Sequence, residues 1–197
     1  KKNINDKFYL VLISIVIFIY LIEILLITYS NYNQKIDLEK EPKYQVYKKL
    51  NSKENVSIVF NHKRYFDENS TYYFLGGKSK VKNLDCNENG YYSFFYTDRY
   101  GFQNDDNLWD EALLDKVFIG DSFGLSSCVN KVDTIVENLK KKNNQLKIIN
   151  LSWGGNGPLS SYASLIEYGS DKSFKKLIWF FFENDFENLN QEKKIEY

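Results

Sequence analysis

The longest apolar run in the chain covers residues 8–29 and reads FYLVLISIVIFIYLIEILLITY. It contains one charged residue, Glu23, and neither proline nor glycine. As an α-helix rising about 1.5 Å per residue, such a run would be about 33 Å long, close to the ~30 Å hydrocarbon core of a bilayer. The run therefore predicts a single transmembrane helix, with the remainder of the chain folding on one side of the membrane.

A cleaved signal peptide is the alternative interpretation of this run. Its apolar region would span only about 7–15 residues and would end at small residues suited to cleavage. Because neither condition holds, the sequence favours a retained anchor. Lys1, Lys2 and Lys7 precede the run, whereas the charges that follow it are of mixed sign. The positive-inside rule then predicts residues 1–7 in the cytoplasm and the main domain exported to a periplasmic or extracellular compartment.

Two regions of different character follow the predicted anchor. Residues 30–50 are polar and lysine-rich with a single proline, Pro42, which predicts a juxtamembrane linker or a short helix. Residues 51–115 carry short β-branched and aromatic runs separated by turn signals such as Gly76-Gly77. This pattern predicts a small β-rich region, either a subdomain or an elaboration of the main domain. Its three strand-like runs are Val56–Phe60, Thr71–Leu75 and Tyr91–Tyr96.

The final region, residues 116–197, alternates predicted strands and helices. The order β-α-β-α-β predicts an α/β fold, a three-layer sandwich around a parallel sheet. The last strand is apolar on both faces, as expected for a buried parallel strand. The predicted strands cover residues 116–120, 146–151 and 176–182, and the predicted helices cover 129–142 and 158–168.

The charge balance and the composition exclude several function classes. Lysine and arginine number 26 and aspartate and glutamate number 26, so the chain lacks the basic excess of a nucleic-acid-binding protein. His62 is the only histidine, and no cysteine or histidine cluster has the spacing of metal ligands. We therefore expect no nucleic-acid partner, no metal and no cofactor.

The chain contains two cysteines, Cys86 and Cys128, and both lie beyond the predicted anchor. Disulfides form in oxidising, exported compartments, so the predicted topology favours a bond between the two. Two buried free thiols are the alternative.

Each predicted strand of the last region ends in a loop of small or polar residues. The first loop, Gly120–Gly124, places Ser122 at the head of a helix, where backbone N–H groups are free to bind an oxyanion. The second loop, Asn150–Pro158, is rich in glycine, and the third, Phe182–Phe186, contains an Asn-Asp pair. Taken singly, these features are also typical of a helix N-cap and of ordinary turns.

Together and in this order, the three loops resemble the SGNH (GDSL-like) hydrolases, whose blocks supply Ser, Gly, Asn and a final Asp-x-x-His. The resemblance covers about residues 116–189 and implies Ser122 as the nucleophile. It implies Gly155 and Asn184 as donors to the oxyanion. Glu183 departs from the pattern, because the family usually has glycine before the Asn-Asp pair.

Other residues take supporting places in this resemblance. Asp121 and Asp185 flank the implied nucleophile and the implied amide donor, and we interpret Asp121 as a structural hydrogen-bonding residue. Upstream, residues 87–90 and 98–104 are similar to segments that precede the Ser block in membrane-bound members of the family.

The fourth block, with its Asp and His, does not occur before Tyr197, and His62 precedes Ser122. We therefore interpret the chain as part of a longer protein and expect His62 to be an ordinary surface or packing residue. The resemblance implies a membrane-anchored esterase or acyltransferase acting on acyl esters, such as acetyl esters of envelope glycans. The alternatives are a non-catalytic SGNH-fold envelope protein that binds glycan or partner proteins, and a structural accessory of a membrane complex.

Overall fold

The computed structural model describes residues 4–32, 41–59 and 74–193. The chain divides into two compact units, Lys1–Asp37 and Leu38–Tyr197. The first unit contains helix α1, Ile4–Tyr32. Within α1, Tyr9–Tyr29 has a mean hydropathy of 3.1 and is long and apolar enough to cross a bilayer. The helix agrees in place and length with the anchor expected from the sequence.

The second unit begins with helix α2, Lys43–Asn51, and a small three-stranded sheet. For residues 30–50 the sequence predicts a linker or a short helix, and α2 forms in the second half of this segment. Val46 of α2 packs with buried side chains from two of the strands, which fixes the helix on the sheet. The strands are β1 (Val56–Ile58), β2 (Lys82–Leu84) and β3 (Phe94–Tyr96), with β1 parallel and β3 antiparallel to β2.

Two of the three strand-like runs correspond to strands β1 and β3. The remaining run, Thr71–Leu75, lies mostly outside the described residues, and its last two residues form no strand. Strand β2 was not predicted from the sequence. Its Lys-Asn-Leu segment has no β-branched or aromatic residue. Asn83 is nevertheless buried, and its side-chain amide donates to Val81 O at 3.1 Å.

The second sheet is parallel, in the strand order β5-β4-β6. Its helices lie between and after the strands, so the mixed α/β architecture with a parallel sheet is confirmed. The strands are β4 (Leu113–Ile119), β5 (Ile148–Asn150) and β6 (Ser173–Trp179). The helices are α3 (Ser122–Leu125), α4 (Ile135–Lys142), α5 (Pro158–Gly169) and α6 (Asn184–Glu192). Short 3-10 turns cover Asp106–Asp110 and Lys131–Asp133.

Helices pack against both faces of the central strand β4. Val117 and Ile119 belong to a buried cluster that Leu165 of α5 covers. Phe118 points to the opposite face, as alternation along a strand requires, and packs with Val136 of α4. This two-sided packing holds β4 in the middle of the core and fixes the loop that follows it.

Strand β6 differs from the sequence-based expectation in position and in burial. It begins and ends three residues earlier than the predicted strand, and most of its side chains are exposed, including Leu177 and Trp179. It lies at the edge of the described sheet, beside β4, and Phe174 and Ile178 are its side chains that pack against the buried clusters. The apolar pattern identified a strand correctly, but the expectation that it is buried on both faces is wrong for the described structure.

Candidate functional site at the ends of the parallel strands

The loops that follow β4, β5 and β6 meet at one edge of the sheet, because parallel strands direct their carboxyl ends to the same side. Backbone hydrogen bonds extend the pairing past the strands. Trp153 N–H donates to Gly120 O at 3.2 Å, and Phe180 N–H donates to Ile119 O at 2.9 Å. Position 120 requires glycine, because the loop after β4 lies close to Phe180. A Cβ at this position would lie 2.9 Å from both the Cβ and the carbonyl oxygen of Phe180.

Ser122 is the first residue of the short helix α3, directly after the loop of β4. Asp121 caps this turn through its Oδ1, which accepts from Phe123 N–H at 2.9 Å. Ser122 is half-buried and lines an open cleft of about 610 Å³. In the part of the chain that the structure describes, no hydrogen bond to its hydroxyl is found.

Gly155 lines the same cleft as Ser122. Its φ of +90° lies in the left-handed region that favours glycine, and it is part of the loop that joins β5 to α5. The structure therefore brings together two of the residues that the resemblance singles out, although they are separated by many residues in the sequence.

Asn184, at the start of α6, is placed beside the Ser122 loop by a direct contact. Its Nδ2 donates to Asp121 Oδ2 at 2.9 Å. Asp121 thus uses one carboxylate oxygen to cap α3 and the other to hold Asn184. Asn184 is exposed and is not among the residues that line the cleft of Ser122 and Gly155, so its link to the cleft is this bond to Asp121.

Asp185 is buried and plays a structural part in the third loop. Its Oδ2 accepts from Phe182 N–H at 2.7 Å, which closes the turn before α6. Burial raises the pKa of the Asp185 carboxyl above its ordinary value, and the nearby Asp121 carboxylate also raises it. The hydrogen bond from Phe182 N–H acts in the opposite direction.

Two asparagines, Asn104 and Asn150, fix the start of the second loop by hydrogen bonds. Asn150 N–H donates to Asn104 Oδ1 at 2.7 Å, and Asn104 Nδ2 donates back to Asn150 O at 3.1 Å. The buried amide of Asn150 then donates to Gly124 O at 2.8 Å, in helix α3. These bonds connect the Gly155 loop with the Ser122 turn.

Asp98 organises the segment that supplies Asn104, and its role was not identified from the sequence. Its buried carboxylate accepts from Tyr100 N–H, Phe102 N–H, Asn104 Nδ2 and Trp109 Nε1 at 2.8–3.0 Å. The signals in the sequence were the turn residues Asp98–Gly101 and the similarity of residues 98–104 to segments that precede the Ser block. Residue types alone could not show that one carboxylate would hold four donors.

The disulfide between Cys86 and Cys128 forms part of the cleft wall. The structure thus joins the two cysteines that the sequence suggested as partners. Buried Asp85 lies next to the disulfide, and its Oδ2 accepts a hydrogen bond from Cys128 N–H at 2.9 Å. Burial raises the pKa of the Asp85 carboxyl, while this hydrogen bond and nearby Lys43 lower it.

The remaining cleft wall combines apolar and acidic groups. Phe123 is exposed beside Ser122 and lies 4.5 Å, centroid to centroid, from the exposed ring of Phe182. Glu88 approaches the sulfurs of Cys86 and Cys128 closely, but both sulfurs are consumed in the disulfide and offer no thiolate to a metal ion. The described residues include no histidine, since His62 lies outside them.

No protein-family model, no curated protein and no solved structure matches this chain. The chemistry of the cleft is therefore argued from its own residues and from the motif resemblance.

Proposed function

We propose that this protein is a membrane-anchored serine esterase or O-acyltransferase with a three-layer SGNH-type sandwich. The observation that carries the proposal is the meeting of three loops at one sheet edge. Ser122 and Gly155 line one cleft, and Asn184 bonds to the residue that precedes Ser122. The packing of helices on both faces of β4 supports the proposed three-layer arrangement.

The reaction begins with attack of Ser122 Oγ on an ester carbonyl carbon. A base takes the hydroxyl proton, and the resemblance assigns this role to a histidine of the fourth block. The carbonyl oxygen becomes an oxyanion, which the N–H groups of Ser122 and Gly155 and the amide of Asn184 stabilise. Removing one such donor typically slows an acyl-transfer reaction by about 10²–10³.

Collapse of this intermediate expels the alcohol, which takes up the proton, and leaves the acyl group on Ser122. Water then releases the acid in an esterase, or a second alcohol accepts the acyl group in a transferase. The exposed pair of Phe123 and Phe182 supplies an apolar surface beside Ser122 that fits an acyl group or a sugar face. Together with the proposed export of this unit, it supports acyl esters of envelope glycans, acetyl esters among them, as the substrate class.

A serine-reactive fluorophosphonate probe tests the nucleophile in the full-length protein. We expect covalent labelling of the parent and complete loss of labelling in Ser122→Ala. The matched control is Ser127→Ala, because Ser127 is also half-buried and lines the same cleft. Mass spectrometry of the labelled peptide identifies the modified serine. Labelling of Ser122→Ala at the parental level would disprove the assignment.

A non-catalytic glycan-binding protein is the second candidate. Two observations favour it: no described residue bonds to the Ser122 hydroxyl, and Glu183 stands where the family usually has glycine. This candidate requires that the full-length protein resist the phosphonate probe but bind oligosaccharides in calorimetry, with weaker binding in Phe123→Ala.

A further inference from the structure

Glu192, the last residue of α6, is a buried carboxylate with four hydrogen-bond donors around it. It is 1 % exposed. Its Oε1 accepts from Gly157 N–H at 2.9 Å and from Ser160 N–H at 3.2 Å, and its Oε2 accepts from Leu159 N–H at 3.0 Å. The Ser160 hydroxyl donates to Oε1 as well. Both carboxylate oxygens of Glu192 therefore serve as hydrogen-bond acceptors.

Three of these donors are N–H groups at the start of α5, which the helix itself leaves without partners. A carboxylate at this end is also favoured by the helix dipole. The contact requires glycine at position 157, since a Cβ there would lie 2.5 Å from Glu192 Oε2 and 2.8 Å from Asn188 Cβ. Glu192 therefore replaces a local N-cap for α5, from 35 residues further along the chain.

The two ends of α6 contact two different loops of the candidate site, the Ser122 loop and the Gly155 loop. At its first residue, Asn184 bonds to Asp121 in the Ser122 loop. At its last residue, Glu192 holds Gly157, which follows the Gly155 turn by two residues. A helix of nine residues is a rigid spacer of about 13 Å.

We propose that Glu192 is a positioning residue for the oxyanion hole. By fixing the start of α5, it sets the place of the Gly155 N–H relative to Ser122 and Asn184. This inference rests on the proposed function. Glu192 acts on the geometry of the transition state, where a small displacement of a hydrogen-bond donor slows a reaction strongly.

The test is the concentration dependence of fluorophosphonate labelling at Ser122 in the full-length protein. Glu192→Gln keeps the size of the side chain but puts an amide NH₂ against backbone donors. We expect its maximal labelling rate to fall about tenfold or more, with the half-saturating probe concentration unchanged. The reason is that the Gly155 N–H contacts the oxyanion only in the transition state. Ser160→Ala removes one of the four donors, and we expect a fall of about threefold.

The matched control is Asp115→Asn, another change from acid to amide. Asp115 also accepts a backbone N–H, that of Lys147 at 3.0 Å, but it lies at the opposite end of β4 from Ser122. We expect Asp115→Asn to label at the parental rate. Unfolding temperatures of all variants show whether a loss of rate merely follows a loss of stability.

The outcomes separate the inference from the proposed function. A parent protein that is never labelled at Ser122 contradicts the proposed function itself. A labelled parent whose rate is unchanged in Glu192→Gln, or matched by an equal fall in Asp115→Asn, overturns the positioning role alone. Ser160→Ala at the parental rate overturns it as well, even where Glu192→Gln does not fold.

Discussion

At the scale of single residues, the candidate site depends on carboxylates that accept several hydrogen bonds at once. Asp121 joins the cap of α3 to the amide of Asn184, and Asp98 joins four donors from its own segment. Each buried donor left without a partner costs about 1–3 kcal/mol, so such residues tolerate replacement poorly. The same residue types on the surface, as in the pair of Arg99 with exposed Asp110, contribute little to stability.

Asp185 gives a prediction for the pH dependence of stability. Because its pKa is raised in the folded protein, its stabilising contribution is full below the ordinary Asp pKa and is lost as pH rises through the raised value. Asp185→Asn keeps an oxygen for Phe182 N–H and has no proton to lose. We expect the free energy of unfolding of this variant, relative to the parent, to increase as pH rises above the ordinary Asp pKa of about 4.

Chemical denaturation of the full chain in detergent at several pH values measures this difference. Asp110→Asn is the control of opposite sign, because the Arg99 guanidinium lowers the pKa of Asp110. Its contribution is present above the ordinary Asp pKa and is lost as pH falls, so the free energy of unfolding of this variant, relative to the parent, decreases with rising pH. The decrease is small, because the Arg99–Asp110 pair is exposed. Parallel curves for the two variants would contradict the assignment for Asp185.

At the scale of elements, the disulfide connects the end of the small sheet with the segment after α3. It joins residues 42 positions apart, and constraining the unfolded chain over such a loop stabilises a protein by about 2–4 kcal/mol. We expect the double variant Cys86→Ala and Cys128→Ala to lose about this much free energy of unfolding. Reductant lowers the stability of the parent by a similar amount and leaves the double variant unchanged.

Alkylation of the unfolded parent measured by mass spectrometry gives an independent check. Without prior reduction we expect no adduct, and after reduction we expect two. Two adducts on the unreduced protein would show free thiols and would remove the link between the cleft wall and the small sheet.

The elements also show which parts of the fold the sequence could predict. The β-α-β-α-β order over residues 116–182 was predictable, because apolar runs and glycine turns are local signals. Helix α6 was not predicted, and its first residues were interpreted as an active-site loop. Strand β2 has no such signal, and the exposure of β6 depends on which neighbours a strand has. The pairing of Glu192 with Gly157 was not predictable either, since it joins residues far apart in sequence and depends on the absence of a side chain at Gly157.

At the scale of the whole molecule, the two units suggest one topology that can be tested. Helix α1 is long and apolar enough to span a bilayer, and lysines occur before it. If residues 1–7 remain in the cytoplasm, the second unit lies outside, in a compartment that permits the Cys86–Cys128 bond. We expect protease added to spheroplasts to degrade the second unit while the membrane remains intact.

Substitution of the three lysines that precede α1 tests what causes the N-terminus to remain in the cytoplasm. Replacing Lys1, Lys2 and Lys7 with glutamine removes the positive charges that precede α1 but leaves its apolar length unchanged. We expect a fraction of the variant to become protected from external protease, because each charge retains the N-terminal flank on the cytoplasmic side. Protection of the parent itself until the membrane is permeabilised would reverse the topology. It would also place the cleft in a reducing compartment, where neither the disulfide nor an envelope glycan substrate is expected.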